Sequence, residues 1–465
     1  MCMRNIFPLG AKNLPPPLPL RKLIGPSFIL LGLGLGSGEI ILWPYLTSNY
    51  GLGIAWAILA GLTMQFFINM EVERYALIYG ESIFVGFARL FRILPAWFIL
   101  STFLGFGWPG IGLAGAELLS SAFGTENTQM LGVGIFLMIG AILTFGKVLY
   151  KTVEKLQMWL IGIGVPFILI LTYFLSQKSD FAALGKGIIG QGEGFEFLPV
   201  GIPVAAFLGA LAYSGAGGNL NLAQSFYVRD KGYGMGKYAE KITGLFRKGG
   251  KQKFSITGNT FAVTSQNVSL FNKWWKAVNT EHFIVFWCVG LITMFTLALL
   301  AYVTSFGMEG NAEGINFVIN EAGAIASRTL PVFGTLFLIA TGIMLCATQL
   351  TVLDSTSRII TENFLLLKKG DEFNVTKIYY SVLWFQILFG ISVFGIGFNQ
   401  PLALIVLGAV INAFAMFVYC GLLLWLNNVF LARPLRPRIW RNIVIFLTFI
   451  FFGAFSALTA VDKIA

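Results

Sequence analysis

Apolar runs long enough to cross a bilayer follow one another from about residue 23 to about residue 461 of this 465-residue chain. No other feature restricts its fold as much. One crossing takes roughly 20 apolar residues as a helix, and inside hydrocarbon the backbone must satisfy its own hydrogen bonds. With 56% hydrophobic and 11% charged residues and a mean hydropathy of +0.77, a soluble globular protein is excluded. Eleven spans are predicted, at about 23–48, 52–70, 95–122, 129–146, 157–175, 199–227, 283–305, 330–353, 378–397, 402–426 and 442–461. The expected fold class is an all-α polytopic membrane protein with 11 transmembrane helices. A tail (1–22), a ten-helix core (23–426) and an eleventh helix (442–465) make up the chain.

The formal charge of +11 reports topology. Placing the N-terminus inside puts 28 of the 32 Lys and Arg residues on the cytoplasmic side, and only Lys178, Lys186, Arg328 and Lys463 on the other. The positive-inside rule therefore predicts a cytoplasmic N-terminus and an external C-terminus. The cations are spread over six loops and form no aromatic-interleaved patch, which argues against nucleic-acid binding. Four cysteines, Cys2, Cys288, Cys346 and Cys420, fall singly, so neither a disulfide framework nor a Cys-based metal site is indicated. The N-terminus shows no small-residue cleavage site. With no organelle signal or large appended region, the expected location is a bacterial inner membrane. The loop 228–282 is the one long polar segment, and residues 271–287 alternate aromatics with Lys273 and Lys276 as an interfacial helix would. His282 is expected at that interface, and Glu71, Glu73 and Arg74 as a solvated or paired interface cluster.

Two spans carry glycine runs that end in a polar side chain at mid-membrane. In the first, Gly36-Ser37-Gly38-Glu39 follows Gly32 and Gly34; in the sixth, Ala216-Gly217-Gly218-Asn219 follows Tyr213, Ser214 and Gly215. Glycine runs in membrane helices commonly serve close packing, but packing does not account for Glu39, an ionisable residue that is costly within lipid. Five spans separate the runs, the spacing of a five-plus-five inverted repeat over 23–175 and 199–426. Broken helices in corresponding positions of two halves point to a transporter's binding site.

The layout from 21 to 426 resembles that of the NRAMP (natural resistance-associated macrophage protein) metal-ion transporters, which have the broken-helix LeuT-type fold. The similarity lies in Gly25-Pro26-Ser27-Phe28 opening the first span, in residues 347–365 ending Ile359-Ile360-Thr361-Glu362-Asn363-Phe364-Leu365, and in the loop 146–156 with Lys151, Glu154 and Lys155. The resemblance implies a LeuT-like fold with broken first and sixth helices and secondary-active transport of a cation by alternating access. That family reads Asp-Pro-Gly-Asn at the first break and Met-Pro-His at the sixth, where this chain has Gly36, Ser37, Gly38 and Glu39, then Ala216, Gly217 and Gly218. Losing the Asp and the thioether leaves an all-oxygen set, suited to Mg²⁺, Ca²⁺, Mn²⁺ or an organic cation. Positions aligned with the family's acidic third-span residues are Trp108 and Ile111, and no proton wire is visible.

The residues expected to bind substrate are Gly36, Ser37, Gly38, Glu39, Ala216, Gly217, Gly218, Asn219 and Asn412, with Glu39 as the one candidate metal ligand. Asn412 serves equally as an interhelical hydrogen bonder. In this fold Thr351, Asp354 and Ser355 would form a coupling-ion set, although Asp354 and Arg358 also stand at the i,i+4 spacing of a helix ion pair. Glu117 either lines an outer vestibule or reaches the interface. No cofactor is expected; the cation transported or coupled is a divalent metal, Na⁺ or H⁺. The alternative cargo is an amino-acid-like or amine solute, coupled to sodium. An enzyme is disfavoured, since the chain shows no His pair, no GxSxG elbow and no phosphate loop. A channel would need a recognisable filter or charged ring.

Overall fold

The structure is a computed structural model that describes residues 9–145, 149–239, 256–368, 374–398 and 400–464. Residues 1–8 of the tail, 146–148 of the loop compared above and 240–255 of the long polar loop lie outside the described residues.

Among the described residues, ten helices are long and apolar enough to cross a membrane: Pro26–Tyr50, Leu52–Tyr79, Leu94–Phe123, Thr128–Phe145, Val153–Leu175, Ser265–Ser305, Pro331–Lys368, Val375–Gly395, Pro401–Val429 and Ile439–Val461. Between the fifth and sixth of these lies an interrupted segment, so by chain position they are helices 1 to 5 and 7 to 11. Helix 6 consists of Val204–Ala212, a 3-10 turn Gly218–Ala223 and Gln224–Lys231. None of its pieces crosses a membrane alone, and the whole is consistent with the eleven spans expected. The protein is thus an integral, multi-pass membrane protein. Helix 1 is buried along its whole apolar window and helix 11 over 22% of it, which puts the first at the centre and the last against lipid.

Helix 7 begins earlier than the sequence suggests. An amphipathic helix, Ser265–His282, capped by Thr264 (whose hydroxyl accepts from the Asn267 N–H at 3.2 Å), runs without a break through a π-helical turn, Phe283–Cys288, into Val289–Ser305. The tail is tied to it. Gly10–Ala11 pairs in parallel with Asn259–Thr260, the Trp274 indole donates to the Pro15 carbonyl (2.7 Å), and the Tyr238 hydroxyl to that of Asn13 (2.9 Å).

Candidate functional site

Helix 1 accommodates its glycines without unwinding. It is α-helical over Pro26–Gly34 and Trp43–Tyr50, and π-helical over Leu35–Leu42, a local widening often found at functional sites. Each glycine presses backbone onto a neighbour. A Cβ on Gly32 would meet the Gln157 side chain at 2.0 Å, on Gly34 the Gly215 backbone at 2.9 Å, on Gly36 the Thr348 side chain at 2.5 Å, and on Gly38 the Tyr213 carbonyl oxygen at 1.8 Å. The glycine ladder brings helix 1 against helices 5, 6 and 8, and the Thr348 hydroxyl donates to the Gly32 carbonyl (2.9 Å).

Helix 6 does open. Gly215, Gly217 and Gly218 adopt φ of 153°, 74° and 46°, values that side chains with a Cβ rarely take. The carbonyls and N–H groups released by the break need partners. Gln65 of helix 2 supplies them: its Nε2 donates to the carbonyls of Leu211 (3.2 Å) and Ala212 (3.0 Å), and its Oε1 accepts from the Gly217 N–H (3.0 Å). Trp43 adds a bond from its indole to the Ser214 hydroxyl (3.1 Å). The sequence analysis does not single out Gln65, although an amide midway along the apolar run of helix 2 is a readable signal.

Helix 3 is also interrupted, at Gly107–Pro109, because Pro109 has no N–H for the Gly105 carbonyl. Asn412 of helix 10 replaces that bond, its Nδ2 donating to the Gly105 oxygen (2.9 Å) and to the Tyr213 hydroxyl (2.9 Å). Asn412 Oδ1 makes no hydrogen bond, and a Cβ on Gly218 would strike it at 2.0 Å. Asn219 points to helix 3, donating to Ser101 (2.8 Å) and Thr102 (2.9 Å), and its Oδ1 is likewise unpartnered. Beside Gly105 and Tyr213 lies a cavity of about 10 Å³, lined also by Trp108, Gln349, Phe106 and Ile405. That is room for about one water. Its lining is neutral.

Glu39 is fully buried and neither carboxylate oxygen has a hydrogen-bond partner. It interacts with Thr293 of helix 7, whose hydroxyl donates to the carbonyls of Val289 (3.0 Å) and Gly290 (2.9 Å). The two breaks thus meet at Gly34–Gly215 and Gly38–Tyr213, while the one carboxylate they carry turns toward helix 7. Among the described residues no three His, Cys, Asp or Glu side chains gather as a metal-ligand group.

The residues grouped as a coupling-ion set are each engaged elsewhere. Thr351 accepts from Gln157 Nε2 (2.7 Å) and donates to the Ala347 carbonyl (2.9 Å); Ser355 bonds to the Tyr227 hydroxyl (2.5 Å) and donates to the Thr351 carbonyl (2.6 Å). Asp354 accepts from Arg358 Nε (3.0 Å) and the Tyr379 hydroxyl (2.6 Å). Arg358 also pairs with Asp230 (2.7 Å), and Arg229 with Glu362 (3.0 Å), all with side chains no more than 5% exposed. This buried network binds the C-terminal end of helix 6 to helices 8 and 9. Glu117 is half-buried near the C-terminal end of helix 3.

Four residues expected at the interface lie inside. His282 is buried, its ring stacked against Phe66 and Phe286. Glu71, Glu73 and Arg74 are buried as well. Glu71 is paired with Arg74 (2.7 Å) and Arg441 (2.5 Å), whereas Glu73 accepts from Gln224 (3.1 Å). Trp275, in the early part of helix 7, covers Arg74, and Arg441 of helix 11 closes over Glu71.

No protein-family model and no curated sequence matches this chain. Solved structures do. A crystal structure of the Eremococcus coleocola manganese transporter, in mutant form, superposes with a TM-score of 0.70 at 13% identity, over 96% of this chain and 87% of that one. Mhp1, a nucleobase-cation-symport-1 family transporter in a closed conformation, gives 0.51 at 12% identity over 96% and 94%. MhsT in complex with L-phenylalanine gives 0.52 at 12% over 94% and 97%. Identities this low establish architecture, and with the interrupted sixth helix and the membrane-length helices around it they show that the chain has the LeuT-type transporter fold.

Proposed function

We propose that this protein is a secondary-active transporter that moves a cation by alternating access, with its site where the Leu35–Leu42 turn of helix 1 meets the opening of helix 6. The observation that carries this reading is Glu39: a carboxylate fully buried at mid-membrane, without a hydrogen bond. Such a group is costly unless a cation, as cargo or coupling ion, offsets its charge. The manganese transporter with a similar fold supports the cargo class. Asn219 Oδ1, Asn412 Oδ1 and Ser37 offer further oxygens to a hard cation, and residues 23–175 and 199–426 serve as the two inverted repeats. The neutral lining of the cavity at Trp108, Tyr213 and Gln349 favours, as second reading, an amine or amino-acid-like solute moved with a cation held at Glu39. An inner membrane with the N-terminus in the cytoplasm is the setting that the charge asymmetry supports.

The test is uptake by proteoliposomes of Mn²⁺, Mg²⁺, Ca²⁺ and a panel of amino acids and amines, under imposed Na⁺ or H⁺ gradients, for wild type and Glu39→Gln. Transport should be abolished in the variant while its yield and thermal unfolding are kept. Unchanged uptake overturns the role of Glu39. Uptake of organic solutes alone would select the second reading.

A further inference from the structure

At the cytoplasmic foot of helix 1, away from Glu39, four helices bring together more buried acceptors than donors. Glu281 of helix 7 reaches the start of helix 1, where its Oε2 accepts from the Ser27 hydroxyl (2.5 Å) and its carboxylate also accepts from the Gly25 N–H. Ser27 in turn meets Nδ1 of His282 (2.7 Å). Since the Ser27 proton goes to Glu281, His282 donates from Nδ1, which fixes its tautomer. Helix 2 presents Phe66, Asn69 and Glu73 on one face by their three- and four-residue spacing, and Phe66 stacks on His282. Glu73 and Glu281 interact repulsively across this junction, and Gln224 of helix 6 donates to Glu73 (3.1 Å).

Charge and hydrogen bonds are both unbalanced here. Glu281 Oε1, Gln224 Oε1 and the whole Asn69 amide make no hydrogen bond, yet these residues are between 0% and 3% exposed. Lys231 is the cation that acts on Glu281, and it is committed to Glu154 (2.5 Å) and the Ile24 carbonyl (2.8 Å); Arg441, which acts on His282, is bound to Glu71. Two carboxylates, and amide oxygens without a donor, leave negative charge in a dry place that a hard cation would offset.

We propose that Glu73 and Glu281, with the side-chain oxygens of Asn69 and Gln224, form a binding site for a hard cation between the feet of helices 1, 2, 6 and 7, separate from the site at Glu39. It would tie the start of helix 1, through Ser27 and Gly25, to helix 7. A cation bound only to the folded protein raises its unfolding temperature. The experiment measures thermal unfolding of the full chain in detergent against NaCl, KCl, CaCl₂ and MgCl₂, with choline chloride as the ionic-strength control, in the Glu39→Gln background. That background separates this site from the proposed transport function, which is already lost there. One or more of the metal ions should stabilise the protein beyond choline, and Glu281→Gln should weaken the apparent affinity at least tenfold. Should Glu281→Gln fail to fold, Asn69→Ala, which removes an amide that makes no bond, should weaken it likewise. No response beyond choline overturns the site, as does a response that survives these substitutions. Stabilisation by lower pH alone, without any metal response, overturns it too and assigns the place to a proton.

Discussion

The backbone N–H of Gly217 donates to Oε1 of Gln65 at 3.0 Å, so a side chain of helix 2 stands in for the turn that helix 6 lacks. With Nε2 of the same amide on the Leu211 and Ala212 carbonyls, one residue satisfies groups on both sides of the opening. Gln65→Leu keeps the volume and strips all three bonds. Buried backbone groups left unpaired cost about 1–3 kcal/mol each. The variant should lose several kcal/mol of stability and its transport, read by thermal unfolding and proteoliposome uptake. Gln65→Glu, buried and therefore neutral, can accept from Gly217 and donates one O–H where the amide donates to two carbonyls, and should fall between.

Gly38 permits the closest approach in the site. Its added Cβ would lie 1.8 Å from the Tyr213 carbonyl oxygen, a backbone atom that can yield only if helices 1 and 6 separate. Gly38→Ala should therefore destabilise by about 3 kcal/mol or more, in the range of severe overpacking. Gly134 lies in the helix Thr128–Phe145 with nothing within 4 Å of its Cβ position. Gly134→Ala should be neutral or stabilising by up to about 1 kcal/mol. Unfolding midpoints of the two variants, measured side by side, check the contrast.

Much of this architecture is written in runs of like residues. Membrane-length apolar stretches announce the helices, and the two glycine runs mark where helices 1 and 6 meet, because both signals are local in sequence. Partners are not. That the Gly36 and Gly38 backbones pack on Thr348 and Tyr213, or that Asn412 replaces the bond lost at Pro109, depends on contacts hundreds of residues apart. The form of the first break was equally hidden. A glycine run permits both unwinding and a π turn, and Gly34 and Gly38 hold the wound form by packing on helix 6. His282 and Glu73 read as interfacial because the chain nearby is polar, yet Phe66 and Phe286 enclose the one and Gln224 of helix 6 meets the other.

Buried charge pairs tie the C-terminal end of helix 6 to helix 8. Arg358 joins Asp354 on its own helix to Asp230 on helix 6. Removing one member of a buried pair leaves an uncompensated charge, at about 3–5 kcal/mol. Arg358→Met should destabilise by that order and open the route between helices 6 and 8. A cysteine placed at Ser355, which is fully buried, should then react faster with a membrane-impermeant thiol reagent added on the side where helix 6 ends. Equal labelling rates with and without Arg358→Met would show that the pairs do not close this route.

Glu321 lies outside the membrane-spanning helices, in the helix Asn316–Arg328 between helices 7 and 8. It is 2% exposed, its Oε1 has no partner, and burial pushes its carboxyl well above the usual carboxylate range. Between its unfolded and folded values the folded chain holds a proton that the unfolded chain has released, so stability falls as pH rises through that window. The loss is about 1.4 kcal/mol for each pH unit of the window. Glu321→Gln mimics the neutral acid and releases no proton. Unfolding midpoints from about pH 5 to about pH 9 should decline for the wild type more steeply than for the variant, with the variant the more stable at the alkaline end. Parallel curves would mean that Glu321 finds a compensating partner or water when it ionises.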